Sequence, residues 1–149
     1  MAVDISPGAL AVAQENSLSL GLSQRVEFFQ GDLLAPLKAK GELLNAIVSN
    51  PPYIPKADIA ALAADVKAYE PMGALDGGAD GLDFYRIIAE KAPEHLKKGG
   101  VLMVEIGFDQ KDAVKELLQD TGRFEKIVGL KDLAGKDRIV VAVLAKKVK

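Results

Sequence analysis

The run Leu43-Leu44-Asn45-Ala46-Ile47-Val48-Ser49 is almost wholly apolar and stops at Asn50-Pro51-Pro52-Tyr53. It is too short for an ordinary helix, and its apolar character suits a strand. Neither proline can donate to a β-ladder, so the strand has to end there. A strand that is apolar on successive rather than alternate residues reads as a parallel strand covered on both faces. Parallel neighbours in turn require crossover connections, normally helices, in the flanking sequence.

The flanks supply them. Upstream, Ala2-Val3-Asp4-Ile5 reads as the end of a strand, with Ser6 as N-cap and Pro7 as first residue of a helix that runs through Leu10, Val12, Ala13 and Leu18 towards Gly21. Residues 25–29, with Val26, Phe28 and Phe29, form the next strand, closed by Gly31-Asp32. Downstream, the Ala-rich residues 57–69 predict a helix, and residues 70–81 a glycine-rich loop. Residues 83–96 predict a long helix with Phe84, Ile87, Ile88 and Ala92 on one face. Gly99-Gly100 is expected to stop it and lead into a buried strand over 101–106. Residues 110–119 read as a helix with Ala113, Val114, Leu117 and Leu118 inside. Residues 124–128 and 138–144 are the last strands, and a polar turn alone joins them, so they form an antiparallel hairpin. The sum is an α/β chain with a mostly parallel sheet and an antiparallel C-terminal hairpin, 149 residues in one domain.

Composition narrows the chemistry. With 49% hydrophobic residues the chain has material for a core, and 19 basic against 21 acidic residues leave a net charge of −2. That balance argues against a general nucleic-acid binder, which carries a basic excess. The absence of cysteine excludes a disulfide framework, a thiolate zinc site and a cysteine nucleophile. A single histidine, His95, excludes a multi-histidine metal site, so no metal is expected. No apolar run approaches the ~20 residues of a spanning helix, and no signal-peptide pattern stands ahead of the body. The chain reads as soluble and cytoplasmic, with no membrane partner.

In open α/β sheets ligands bind beyond the carboxyl ends of the strands. The polar residues at those ends are Asp4, Asp32, Asn50 and Glu105. Asp4 is placed either to take ribose hydroxyls or simply to cap the helix that follows, and Gly31-Asp32 is either a site or only a turn. Asn50-Pro51-Pro52-Tyr53 is more specific. The prolines lock the backbone, so the Asn50 amide oxygen and a proline carbonyl can both accept from one planar NH2 group, while Tyr53 offers a face for a flat substrate. Asp76-Gly77-Gly78-Ala79-Asp80-Gly81 lacks the lysine of a phosphate loop. It reads as a loop that places Asp80 near the next helix cap and forms a wall of the site. His95 beside Lys97 and Lys98 suits the negative end of its helix without any catalytic role.

Taken together these motifs resemble the HemK/PrmC family, the protein-(glutamine-N5) methyltransferases of peptide chain release factors. The resemblance rests on Val3-Asp4-Ile5-Ser6, Gly31-Asp32-Leu33, Ile47 through Pro55, Glu70-Pro71, Ala74-Leu75-Asp76-Gly77-Gly78, Asp80-Gly81-Leu82, Glu105-Ile106-Gly107 and Asp132-Leu133-Ala134-Gly135-Lys136-Asp137-Arg138. It implies a Rossmann-like fold that uses S-adenosyl-L-methionine. It places Asp4 on the cofactor ribose, Asp32 and Leu33 near the adenine and Asn50 beside the reacting end. It puts the substrate glutamine against Asn50, Pro51, Pro52 and Tyr53, of which Asn50, Pro51 and Tyr53 are the expected catalytic set. The implied partner is a release factor, with no stable nucleic-acid complex. The family's N-terminal helical domain, first strand and helix, and glycine-rich cofactor loop have no counterpart in the sequence. Two sheet edges are therefore expected to be open to self-association. Two other readings share these motifs: a catalytically silent remnant that binds a partner, and an amino-group methyltransferase of nucleic acid.

Overall fold

A computed structural model of the chain describes residues 1–39, 41–62 and 70–146. The chain divides into two compact units, Met1–Glu42 and Leu43–Lys149.

The first unit is a β-α-β element. Strand β1 (Ala2–Asp4) leads into helix α1 (Pro7–Ser19), and β2 (Phe28–Gln30) returns parallel to β1, with Asp4 opposite Gln30. The predicted start of α1 holds in detail: Ser6 Oγ accepts from the Ala9 N–H at 3.2 Å, and Pro7 fills the first turn, where its missing N–H costs nothing. The second strand is shorter and later than expected from residues 25–29 and is followed by a 3-10 turn, Ala35–Ala39.

The second unit is built on a four-stranded sheet of order β3-β4-β6-β5: β3 (Leu44–Ser49), β4 (Leu96–Glu105), β5 (Phe124–Lys131) and β6 (Asp137–Leu144). β3 and β4 are parallel, and β6 runs antiparallel to both β4 and β5. The pairing is thus mixed rather than mostly parallel, and the expected C-terminal hairpin is β5–β6. Its turn is tied by Asp132, whose Oδ1 accepts from the N–H groups of Ala134 and Lys136 at 2.9 and 3.0 Å and whose Oδ2 pairs with Arg138. The Lys136 amide, followed by the Arg138 guanidinium and then the Ala134 amide, holds the Asp132 carboxyl below its ordinary pKa. Within the motif Asp132 closes the turn, while Asp137 pairs with Lys111 and Arg138 also donates to the Ile106 carbonyl.

Helices α3 (Asp83–His95) and α4 (Lys111–Asp120) pack on each other and on the sheet, α3 on β4 and α4 on β5 and β6. The buried rows Ile47–Leu102–Ala142 and Val104–Val140, with Ile88, Ala92, Val114 and Leu118 from the helices, make the core. The alternate row shows another environment. Val48, opposite Met103, is 74% exposed, and Val128, opposite Val141, is 47% exposed. The expectation that β3 is covered on both faces is therefore corrected: side chains alternate across a pleated strand, and only the Ile47 side is covered by described residues.

Two further expectations change. Gly99-Gly100 does not stop α3, which ends at His95 and passes directly into β4. The glycines lie inside the strand, where the register slips so that Leu44 faces Leu96 and Ala46 faces Val101. Gly99 has φ +77, and a Cβ on Gly100 would lie 2.8 Å from the Lys97 carbonyl oxygen, so this irregularity needs glycine. The loop at 70–81 contains one helical turn, α2 (Met72–Leu75). Of the helix expected at 57–69, the described part is a 3-10 turn at Ile59–Ala61, and residues 63–69 lie outside the described residues. No helix among the described residues is long and apolar enough to cross a membrane.

Candidate functional site

In the first unit, Asp4 and Asp32 leave the same ends of two hydrogen-bonded parallel strands, and both are exposed. The Asp4 carbonyl accepts from the Gly31 N–H at 3.0 Å, and its Oδ1 accepts from the Ser6 N–H at 2.8 Å. One carboxylate oxygen of Asp4 thus does serve the helix start, as its capping alternative supposed. Leu33 follows with φ +46, a left-handed conformation that costs a branched side chain about 1–2 kcal/mol.

In the second unit, β3 ends at Ser49 and delivers Asn50-Pro51-Pro52-Tyr53 to the carboxyl end of the β3–β4 pair. Asn50 is exposed, Pro51 buried and Tyr53 half-buried. Among the described residues no hydrogen bond engages the Asn50 side chain or the Pro51 carbonyl, which leaves two acceptors next to each other on a proline-fixed backbone. Asn50 is the wall common to two hollows. One, of about 280 Å³, is lined with it by Pro51, Tyr53, Ile54, Glu70 and Leu75. The other, of about 190 Å³ and more apolar, is lined with it by Val48, Met103, Glu105 and Ile139.

The glycine-rich loop is bound to this turn. Ile54 pairs with Asp76 in a parallel bridge: the Ile54 N–H donates to Leu75 O (3.1 Å), the Gly77 N–H to Ile54 O (2.9 Å) and the Lys56 N–H to Gly78 O (2.9 Å). Gly77 lies so close to Tyr53 that a Cβ would be 2.8 Å from the Tyr53 Cα. The 280 Å³ hollow is bounded on this side by Ala74 and Leu75 of α2 and by none of Asp76–Gly81, which corrects the expected wall, while Asp80 accepts from the Leu82 N–H near the start of α3 and pairs with Arg86, which lowers its pKa.

The Tyr53 hydroxyl is directed at Glu105 Oε1, at a long 3.5 Å, and the buried Tyr85 hydroxyl donates to the Glu105 carbonyl at 2.7 Å. Burial, with the neighbouring Tyr53 and Glu105, pushes the Tyr85 phenol well above its ordinary 10.0. Tyr85→Phe leaves that carbonyl without its phenol and is expected to cost about 1–2 kcal/mol in urea unfolding. The raised folded pKa fixes the sign with pH. The contribution is intact below about pH 10 and is lost as pH rises further, because the unfolded chain ionises first. The stability gap between the two chains should therefore narrow above pH 10; a gap constant to pH 11 would contradict this.

Sequence reasoning places Asp4, Asp32 and Leu33 in one unit and Asn50, Pro51, Pro52, Tyr53 and Glu105 in the other, and the structure gathers each set at strand ends. It does not anticipate Tyr85 or Gln110. Gln110 sits just ahead of α4, 8% exposed, with its side chain turned into the Tyr53 turn, and the sequence shows only a polar residue at a helix start. His95 closes α3, as read from the sequence.

No family model matches the chain. Over 141 residues it is 52% identical to the release factor glutamine methyltransferase of Moorella thermoacetica, which covers 95% of this chain and 49% of that protein. Among solved structures, a release-factor-specific protein-(glutamine-N5) methyltransferase from Alicyclobacillus acidocaldarius superposes with TM-score 0.53 at 28% identity, covering 97% of this chain and 78% of that one. A methyltransferase from Pyrococcus furiosus superposes with TM-score 0.64 at 16% identity, covering 96% and 61%. The fold is thus the Rossmann-like methyltransferase fold, and the chain spans about half the length of the curated relatives it matches.

Proposed function

We propose, for a chain that belongs with the release factor glutamine methyltransferases and spans about half their length, S-adenosylmethionine-dependent N5-methylation of a glutamine side chain in a peptide chain release factor. The observation that carries the reading is the pair of acceptors, Asn50 Oδ1 and Pro51 O, unengaged among the described residues at the carboxyl end of β3. A primary amide has two N–H groups in one plane, and two neighbouring acceptors fit them. The Tyr53 ring closes one side of the adjoining hollow.

An amide nitrogen is a poor nucleophile because its lone pair is delocalised into the carbonyl. Accepting from both N–H groups draws positive charge off nitrogen and fixes the direction of the lone pair. S-adenosylmethionine, when bound, supplies an electrophilic sulfonium methyl. Asp4 and Asp32 fit its hydroxyl- and amine-bearing nucleoside in kind: both are exposed carboxylates at the ends of adjacent parallel strands. The N–CH3 bond would form as the S–CH3 bond breaks, the neutral thioether being the leaving group, and the nitrogen would give up one proton to solvent.

The test is a transfer assay with methyl-labelled S-adenosylmethionine. The acceptors are a release factor, the same factor with its acceptor glutamine changed to asparagine, and duplex DNA. Label on the unchanged factor alone is expected. Label on DNA, or none on any acceptor, would overturn the proposal.

A further inference from the structure

The Gln110 side chain spends three of its four hydrogen-bonding directions on the backbone of three separate segments. Its Oε1 accepts from the Gly107 N–H at 2.9 Å, just past the end of β4. Its Nε2 donates to the Tyr53 carbonyl at 2.9 Å and to the Gly81 carbonyl at 3.2 Å. Both polar atoms of this amide are engaged, and at 8% exposure it is shut away from solvent. The three segments are the substrate turn, the last glycine of the loop bonded to that turn, and the turn after Glu105. Space around the knot is exhausted: a Cβ on Gly81 would lie 2.4 Å from the Tyr53 carbonyl oxygen and 2.6 Å from Gln110 Nε2.

We infer that Gln110 is a positioning residue for the Asn50–Tyr53 turn, holding Asn50 and Pro51 in the geometry that receives the substrate amide; this rests on the function proposed above. The physical reason is the location of the turn. Prolines 51 and 52 carry no N–H, so the segment between Ser49 and Tyr53 has little ladder bonding of its own. Its fixation comes from beyond it, through the Ile54–Asp76 bridge and through Gln110, which stands just ahead of α4. A displacement of about 1 Å in such a turn is enough to cost on the order of 100-fold in rate.

Two variants separate positioning from general support. Gln110→Leu keeps the bulk and removes all three hydrogen bonds. Gln110→Glu keeps the acceptor for Gly107 and aims a carboxylate at two carbonyl oxygens. Amide hydrogen exchange is read at Ile54, Lys56, Gly77 and Asp83, whose N–H groups lock the turn and its wall, and at Leu102 and Val140 in the core. In Gln110→Leu the first set is expected to exchange about 10-fold faster or more, while the core set is unchanged. In methyl transfer, kcat is expected to fall about 10- to 100-fold, with KM for S-adenosylmethionine within about 3-fold. The carboxyl introduced by Gln110→Glu can donate again once protonated. Its activity relative to the unsubstituted chain is therefore expected to recover as pH falls from 8 to 6, which a loss of packing would not produce. Equal acceleration at both sets of amides, or no acceleration at Ile54 and Gly77, would overturn the inference. If the unsubstituted chain methylates no release factor, the proposed function fails while the exchange pattern still decides whether Gln110 holds the turn.

Discussion

Asn50→Ala is expected to lower glutamine methylation by about 100-fold or more in kcat while leaving the dissociation constant of S-adenosylmethionine within about 3-fold. The magnitude follows from removing one of two preorganised partners aimed at the reacting nitrogen, an effect typically worth 10²–10³, or roughly 3–4 kcal/mol. The effect falls on kcat because the hydrogen bond strengthens as positive charge develops on nitrogen in the transition state. Stability should change little, since Asn50 is exposed and its side chain makes no hydrogen bond among the described residues. Asn50→Asp sharpens the assignment. The carboxylate still accepts, so a modest loss there beside a large loss in alanine identifies hydrogen-bond acceptance as the role. Single-turnover transfer with labelled cofactor measures both variants, and undiminished transfer by Asn50→Ala would remove the residue from the mechanism.

The second large effect falls on stability. Gly81→Ala is expected to destabilise the second unit by about 3 kcal/mol or more. Gly81 has φ +75, where an alanine pays about 1–2 kcal/mol for its Cβ alone. The added carbon would also lie 2.4 Å from the Tyr53 carbonyl oxygen, which already accepts from Gln110 Nε2. Backbone cannot rotate away as a long side chain can, so the turn or the loop has to shift, and the Gln110 hydrogen bonds go with it. The comparison variant is Gly122→Ala, also at positive φ (+62) but with open space around it. It should cost only the conformational part, about 1–2 kcal/mol. Urea midpoints for the two variants therefore separate steric closeness from backbone strain; equal losses would show that the crowding at Gly81 is relieved at no cost.

Much of this was legible because the informative residues are the ones with restricted chemistry. Ser6-Pro7 can begin a helix in few other ways, and Asn50-Pro51-Pro52 cannot continue a ladder. The last hairpin was visible because no helical segment separates β5 from β6. What escaped depends on partners distant in sequence. Gly99-Gly100 has the composition of a helix stop, but its neighbours in space are the backbones of Leu44 and Asn45, and only the pairing with β3 shows that a strand irregularity needs glycine there. Val48 escaped for the opposite reason, since an apolar run says nothing about which face lacks a cover. Gln110 is polar, lies at a helix start and is followed by a lysine, which is the pattern of a solvated end. Its role exists only once Tyr53, Gly81 and Gly107 have converged on it.

The parallel pairing of β3 with β4 has a consequence for the order of folding. β5 and β6 are joined by a tight turn and can meet within microseconds. β3 has to wait until the chain from Asn50 to His95, including all of α3, has closed into a loop before it finds Leu96 and the residues beyond it. During synthesis β3 leaves the ribosome ahead of the only strand it pairs with among the described residues, so its apolar run stays unpaired for that interval. The Asn50–Tyr53 turn, attached to the end of β3 and hydrogen-bonded by Gln110 just ahead of α4, is then among the last parts of the second unit to take its final shape.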